Sequence, residues 1–140
     1  MASTLSISDE ARALMCEAAE HAFPKECCGL LIGVGGDSVI VSQAVVAPNL
    51  SEEPNRFLID PQVHFDWLRK LRGTTERIVG HFHSHPNGSA EPSKTDAEMA
   101  IERDQYWVII PVKDGVSGYP HAYIARQPEE PFLRATLIIE

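Results

Sequence analysis

Two histidines and an aspartate near the middle of the chain have the types and spacing of a metal site. His83 and His85 are two residues apart. If residues 78–85 form a strand, both imidazoles project from one face of it and converge on one point. Ten residues then lead to Asp96, enough for a loop that places a carboxylate in the first turn of a helix. Two neutral imidazoles and one carboxylate suit zinc with a fourth position left open, the pattern of a catalytic site.

Local helix chemistry offers a second explanation for part of this pattern. Ser93 is a suitable N-cap, and Asp96, three residues later, is a suitable acid for the first helical turn. Capping does not explain the His-x-His pair that precedes them, so the combination favours a metal site.

The remaining histidines are weaker candidates for that site. His81 lies on the same predicted strand face as the pair and is the rival ligand. Because it lies further up the strand and deeper in the sheet, we favour a role in packing or in supporting the ligands. His64 and His121 stand alone and are interpreted as ordinary histidines.

Composition restricts the class of protein. A chain of 140 residues predicts one domain, 1–140, that needs no disulfides to bury a core. The net charge of −8 and the lack of a basic patch argue against nucleic-acid binding. No leader-like segment and no run of about 20 apolar residues occurs, which argues against secretion and membrane insertion. Three cysteines, two of them adjacent, suggest reduced thiols in a cytoplasm, and the oligomeric state stays open.

The order of apolar and turn residues predicts an α+β domain with a largely antiparallel or mixed sheet and about three helices. Helices are expected after Ser8, after Asp60 and from Ser93 to about Arg103. The inward stripes of the first two helices are predicted to be Ala11, Leu14, Met15, Ala18 and Ala22, and then Val63, Trp67, Leu68 and Leu71. Strands are predicted at 28–34, 38–47, 56–59, 78–85, 106–112, 119–126 and 132–139.

These motifs together resemble the JAMM metallopeptidases, also called the MPN+ or JAB domain family. The family pattern is a distant Glu, a His-x-His pair, and an Asp after ten intervening residues with a Ser three before it. The matching pieces here are Pro-Lys-Glu26-Cys-Cys-Gly, then His83-Ser-His-Pro, then Pro-Ser93-Lys-Thr-Asp. The resemblance covers most of the chain, including Asn49, and departs at His81, where members often carry an aromatic residue.

The resemblance implies a fold and a set of roles. The fold would be that of the JAB/MPN domain, which is cytidine-deaminase-like. Zn²⁺ would be held by His83, His85 and Asp96, with Glu26 as the general base of the hydrolysis and not a ligand. Ser93 would donate a hydrogen bond to the oxyanion of the tetrahedral intermediate.

The resemblance also implies a substrate. Family members hydrolyse the amide bond after the C-terminal Gly-Gly tail of ubiquitin-like proteins, including bacterial sulfur-carrier proteins. Because the chain is short and lacks long insertions, a small carrier is favoured over ubiquitin chains, and its tail is expected to add as a strand near residues 56–59.

Two other functions stay open. One is a metal-dependent hydrolase of a small amide substrate; the other is a non-catalytic MPN-type protein-binding module, which the intact ligand set disfavours. A zinc deaminase would need His-x-Glu and Pro-Cys-x-x-Cys, and neither occurs. No step needs the thiols of Cys27 and Cys28, and Cys28 is predicted to be a core residue.

Overall fold

The computed structural model describes residues 3–100 and 102–140, which form three helices and eight strands. The helices are α1 (Asp9–Ala22), α2 (Pro61–Leu71) and α3 (Lys94–Met99). The strands are β1 (Thr4–Ile7), β2 (Cys28–Gly35), β3 (Ser38–Ala47), β4 (Arg77–His85), β5 (Gln105–Lys113), β6 (Val116–Ser117), β7 (His121–Ala125) and β8 (Leu133–Ile139). The predicted α+β class is confirmed.

The sheet is mixed, and its strand pairings close on themselves. The strand order is β4-β2-β3-β1-β8-β7-β5-β6, and β4 also pairs with β5. The pairings of β4 with β5, and of β1 with β3 and β8, are parallel, whereas the others are antiparallel. Strand β4, which carries the histidines, is therefore hydrogen-bonded on both sides, and its side chains have a rigid base.

The two faces of β4 and β5 pack into different cores. Phe82 on β4 and Val108 on β5 belong to the larger core, which α1 covers through Met15 and Ala19. Trp107 points to the other face, into a smaller cluster that the histidines of β4 also border. The alternation of side chains along a strand thus separates the structural core from the histidine face.

A close backbone approach holds β4 against β5. Gly80 lies opposite Tyr106 in the parallel register. A Cβ atom on Gly80 would lie 2.0 Å from the carbonyl oxygen of Tyr106. Only glycine lets the two strands meet here, three residues before the first histidine of the pair.

Several sequence-based element predictions are wrong. Residues 56–59 form no strand; Ile59 makes a single antiparallel bridge to Asn49, because side-chain hydrogen bonds hold this segment instead of a ladder. Helix α3 ends at Met99, short of Arg103, and the chain turns through Asp104 at φ 54° to enter β5. Residue 101, within the predicted helix, lies outside the described residues. Strands β1 and β6 were not predicted.

The inward stripes of the helices agree with the predicted ones only in part: Met15, Ala18 and Ala22 of α1 pack against the core as predicted. In α1 the buried residues are Met15, Cys16 and Ala19, and Leu14 is 41% exposed because the buried face is rotated away from it. No residue of α2 is fully buried, and Leu68 is 51% exposed. Helix α2 lies on the surface and is only half-covered by the sheet.

Candidate active site

Strand β4 and the first turn of α3 bring the predicted metal-binding residues together. His83 and His85 lie on one face of β4, in register with Ile109 and Pro111 of β5. A capping box begins α3: the amide of Asp96 donates to Ser93 Oγ (3.0 Å), and the amide of Ser93 donates to Asp96 Oδ2 (2.8 Å). The predicted N-cap is confirmed, and the same contacts fix the carboxylate over the histidines.

Three side chains meet through their ligand atoms in a buried triangle. The Nε2 atoms of His83 and His85 are 3.0 Å apart. Oδ1 of Asp96 lies 3.1 Å from His83 Nε2, and Oδ2 lies 3.0 Å from His85 Nε2. All three residues are at most 4% exposed. Buried groups of this kind in direct contact can hold a metal ion.

A hydrogen bond at Nδ1 of His85 leaves the Nε2 atom of that ring for metal binding. Nδ1 of His85 lies 3.1 Å from the carbonyl oxygen of Ser89, which can only accept, so Nδ1 carries the proton. Nε2 is then the ring nitrogen that faces Asp96, as an N–H donor when it is protonated and as a metal-binding lone pair when it is not. Burial lowers the pKa of His83, which keeps its ring neutral.

The carboxylate of the triangle is ionised. Burial alone would raise the pKa of Asp96, but hydrogen bonds from His83 and His85 outweigh it and hold that pKa well below its usual range. For His85 burial likewise lowers the pKa, and the interaction with Asp96 outweighs it and raises the pKa. The site therefore holds one ionised carboxylate beside two imidazoles, and this negative charge favours a cation.

The residues fit a metal ion. Bond lengths of about 2.0–2.1 Å at a tetrahedral centre place neighbouring ligand atoms about 3.3 Å apart. Here the two Nε2 atoms are 3.0 Å apart, and they lie 3.1 and 3.0 Å from Oδ1 and Oδ2 of Asp96, respectively. Two imidazoles and one carboxylate are the donor set of hydrolytic zinc sites.

Glu26 is a buried acid that lines a cleft together with His85. It lies two residues before the start of β2, and it is 5% exposed. No group among the described residues hydrogen-bonds its Oε1 atom. Burial raises the pKa of Glu26 to about 7, with the Asp96 carboxylate adding to the rise and His85 opposing it. A carboxyl group whose pKa lies near 7 can both accept and return a proton at physiological pH.

The cleft has a volume of about 370 Å³ and opens beside α3. Glu26, His85 and Ser93 line it together, with polar residues that include Asn55 and Thr95. Ser93 Oγ accepts the amide of Asp96, which leaves the hydroxyl hydrogen available to donate into the cleft.

Aromatic side chains pack against His83. The ring of Phe57 stacks on His83 at 4.4 Å between centroids and an interplanar angle of 21°, and Trp107 meets His83 edge-on at 5.6 Å. Phe57 is 4% exposed. Nothing in the sequence predicts this contact, because a phenylalanine 26 residues before the histidine carries no local signal of the stacking.

The other histidines lie outside the triangle. His81 packs edge-on against Trp107 at 4.1 Å, and burial lowers its pKa to about 3. It borders a separate cavity of about 220 Å³, which His64 also lines. The neutral ring of His81 therefore packs beside the site, as predicted, and His121 lies at the start of β7.

The cysteines are core residues, not nucleophiles. Cys16, Cys27 and Cys28 are free and buried. Burial raises the pKa of Cys27 to about 11 and that of Cys28 to about 12, so both thiols stay protonated at neutral pH. The prediction that Cys28 is a core residue is confirmed.

Comparison with known proteins decides the family. The family model for prokaryotic homologues of the JAB domain matches residues 8–134, nearly the whole chain. This chain belongs to that family. The predicted resemblance to JAMM and JAB domain proteins, and with it the JAB/MPN fold, is confirmed.

Relatives of this JAB-family protein include two curated proteins and a solved structure. It is 34% identical over 103 residues to desampylase from Haloferax volcanii, with 70% of this chain and 73% of the relative covered. It is 29% identical over 103 residues to CysO-cysteine peptidase from Mycobacterium tuberculosis, with 74% and 66% covered. The solution structure of a Desulfitobacterium hafniense protein superimposes with a TM-score of 0.84 at 25% identity, covering 97% of this chain and 92% of that one.

Within residues 3–100 and 102–140, every helix is too short or too polar to span a lipid bilayer.

Proposed function

We propose that this JAB-family protein is a zinc-dependent peptidase of the JAMM type that hydrolyses the amide bond after the C-terminal Gly-Gly tail of a ubiquitin-like or sulfur-carrier protein. The names of the two curated relatives support a peptidase whose substrate is such a carrier. The reduced state of its three buried cysteines fits a cytoplasmic enzyme.

The observation that carries the proposal is a buried triangle of three side chains beside a cleft that two further polar side chains line. His83, His85 and Asp96 meet through ligand atoms within 4.8 Å of one another. Glu26 and Ser93 line the adjoining cleft together with His85, the member of the triangle that borders it. A hydrolase of amides needs a metal site, a proton carrier and an oxyanion donor at one point, and these residue types supply all three.

Each residue has a role that follows from its chemistry. His83, His85 and Asp96 would hold the zinc ion. When bound, zinc lowers the pKa of water towards 7 and polarises the scissile carbonyl. Glu26, whose pKa burial raises to about 7, takes a proton from the attacking water and returns it to the leaving amine. Ser93 donates its hydroxyl hydrogen to the oxyanion.

The surrounding residues hold these side chains in position and exclude water from His83. The capping box at α3 fixes both Ser93 and Asp96 through two backbone hydrogen bonds. Phe57 and Trp107 cover His83 and exclude water from its ring. Hydrogen bonds and charges in such a site act at low effective dielectric and are stronger than in water.

The test is cleavage of a defined substrate by the zinc-loaded protein. The substrate is a β-grasp carrier whose Gly-Gly tail is joined by an amide bond to a lysine peptide or to cysteine, and cleavage is followed by intact-protein mass spectrometry. The matched substrate carries an Ala-Ala tail, and the matched enzyme is Glu26→Gln, which replaces the proton carrier by a neutral side chain of the same shape.

We expect cleavage directly after the second glycine, at least tenfold slower cleavage of the Ala-Ala substrate, and at least 10²-fold slower cleavage by Glu26→Gln. Cleavage of small acylated amines but of no carrier would show a small-amide hydrolase instead. Carrier binding without cleavage by any zinc-loaded preparation would show a binding module, and either outcome would overturn the proposal.

A further inference from the structure

Asn49 uses its entire hydrogen-bonding capacity on the backbone around the site. Its Nδ2 group donates to the carbonyl oxygens of Glu26 (2.9 Å) and Arg56 (3.1 Å). Its Oδ1 atom accepts the amides of Ser51 (2.9 Å) and Leu58 (2.9 Å). An asparagine side chain has two donor hydrogens and two acceptor lone pairs, so all four are used. The two carbonyl partners on Nδ2 and the two amide partners on Oδ1 fix the orientation of the amide.

The contact with Glu26 continues the β2–β3 pairing past its end. The last paired residues are Cys28 and Ala47. In antiparallel register, the next positions are opposite each other, so Glu26 falls opposite Asn49. Pro48 lies between and has no amide hydrogen, so the backbone ladder cannot go on. The side chain of Asn49 supplies the hydrogen bond that the ladder lacks, at the residue that we assign as the proton carrier.

The other contacts of Asn49 hold the segment that covers the metal-binding histidine. Arg56 and Leu58, both bonded to Asn49, flank Phe57 on either side. Phe57 stacks on His83. Backbone bonds add to this clamp, from the amide of Leu50 to the carbonyl oxygen of Leu58 (2.8 Å) and through the Asn49–Ile59 bridge. One side chain therefore joins the backbone of Glu26 to the backbone that carries Phe57.

Hydrogen bonds hold Glu26 through its backbone and that of the next residue. Its Oε1 atom has no hydrogen-bond partner among the described residues. On the next residue, the amide of Cys27 donates to Ser84 Oγ (2.8 Å), which ties this stretch to β4. Asn49 ties it to the opposite side. Because Oε1 makes no hydrogen bond among the described residues, the position of the carboxylate depends on these backbone ties.

We propose that Asn49 is a positioning residue for the hydrolysis: it sets the backbone of Glu26 against the Phe57 segment, and thereby places the Glu26 carboxylate in the cleft. The inference rests on the proposed function for the role of Glu26. All four hydrogen bonds of Asn49 go to backbone groups outside the triangle, and its effect passes through Glu26.

The test compares two substitutions in the zinc-loaded protein. Asn49→Asp keeps the size and the two acceptors of the side chain but places an oxygen against the carbonyl oxygens of Glu26 and Arg56. Ser51→Ala is the matched control in the same loop: it removes a hydroxyl that accepts the amide of Glu53 (3.2 Å) and leaves the backbone amide that Asn49 accepts. For each variant, kcat and KM are measured with the Gly-Gly-tailed carrier as substrate. The zinc content and the unfolding midpoint of the variant are measured beside them.

We expect Asn49→Asp to lower kcat by about 10²-fold, the loss that a misplacement of about 1 Å can cause, with KM within about threefold and zinc content unchanged. Ser51→Ala stays near the wild-type kcat. In a Glu26→Gln background, Asn49→Asp should reduce the residual rate by less than about threefold, because the group it positions is already disabled. Asn49→Ser, which is shorter and can still donate one hydrogen bond, gives the same comparison if Asn49→Asp fails to fold.

A wild-type kcat in Asn49→Asp or Asn49→Ser would overturn the inference. So would an equal further loss in the Glu26→Gln background, because that shows a general structural effect. If the wild-type protein itself cleaves no carrier, the proposed function fails instead, and the two failures are distinguishable.

Discussion

The buried acid of the cleft gives the most quantitative prediction. Glu26 is 5% exposed, and burial raises its pKa from an ordinary 4.5 to about 7. A carboxyl group with a raised pKa destabilises the folded protein at neutral pH, because folding removes an ionised group from water. Glu26→Gln should therefore abolish activity and yet make the metal-free protein more stable.

The sign and size of this effect follow from proton linkage. Below pH 4.5 the carboxyl is protonated in both states and contributes nothing. Between pH 4.5 and about 7 the unfolded chain releases the proton while the folded chain keeps it, so the free energy of unfolding falls. Above pH 7 the loss levels off. At about 1.4 kcal/mol for each pH unit between the two values, the full loss is about 3 kcal/mol.

The assay is urea unfolding of chelator-treated protein between pH 5 and pH 8.5. Relative to Glu26→Gln, the wild-type protein should lose most of the roughly 3 kcal/mol over this range. Glu52→Gln, a change at an exposed acid of the loop, serves as the control and should follow the wild-type curve. Parallel curves for the wild-type protein and Glu26→Gln, within about 0.5 kcal/mol at both ends, would refute the burial argument and the neutral-pH role of Glu26 that depends on it.

Three further predictions concern the surroundings of the cleft. Ser93→Ala should slow carrier cleavage by about 10²–10³-fold and lower the free energy of unfolding by about 1 kcal/mol through the lost cap. Ser93→Thr keeps the hydroxyl that caps the helix and donates to the oxyanion, so its cleavage rate should stay within about tenfold of the wild-type rate. Equal steady-state rates for Ser93→Ala and the wild-type protein would exclude the oxyanion role. Because their pKa values are raised to about 11 and 12, Cys27 and Cys28 should resist iodoacetamide at pH 8 until the protein is unfolded, as peptide mapping would show; rapid native labelling would contradict their burial. Gly80→Ala should lower the free energy of unfolding by about 2 kcal/mol and reduce metal occupancy, since the new Cβ meets the Tyr106 carbonyl oxygen; unchanged urea curves and zinc content would show that β4 can shift freely.

The geometry of the triangle was predictable because local rules produce it. The period of two along a strand places His83 and His85 on one face, and the N-cap chemistry of Ser93 places Asp96 in the first turn of α3. Both rules act over a few residues. The sequence therefore contains the information for this part of the site in readable form.

The burial of Glu26 could not be read from its neighbours in the sequence. A glutamate between a lysine and a cysteine is typical of an exposed surface, and only the family resemblance pointed to it. The tertiary fold buries it, through contacts of its backbone with Asn49 and of the next residue with Ser84, which lie 23 and 57 residues away from their partners. Such contacts leave no periodic pattern in the sequence.

The errors in the fold have the same origin. The β-favouring run at 56–59 was predicted as a strand, but Asn49 satisfies the backbone on either side of Phe57, and only Ile59 makes a bridge. Strand β1 is four residues long, and its partners β3 and β8 come from distant parts of the chain. Short elements that long-range pairing stabilises have no periodicity to detect.

The most direct test of the account is the metal content of the purified protein, measured by elemental mass spectrometry beside His85→Ala, Asp96→Ala and Glu26→Gln. We expect about one zinc ion per chain in the wild-type protein and in Glu26→Gln, because Glu26 is not a ligand, and loss of zinc in the other two variants. Wild-type protein that takes up no zinc even when it is supplied, or zinc retained in both ligand variants, would contradict the assignment of the triangle as the metal centre.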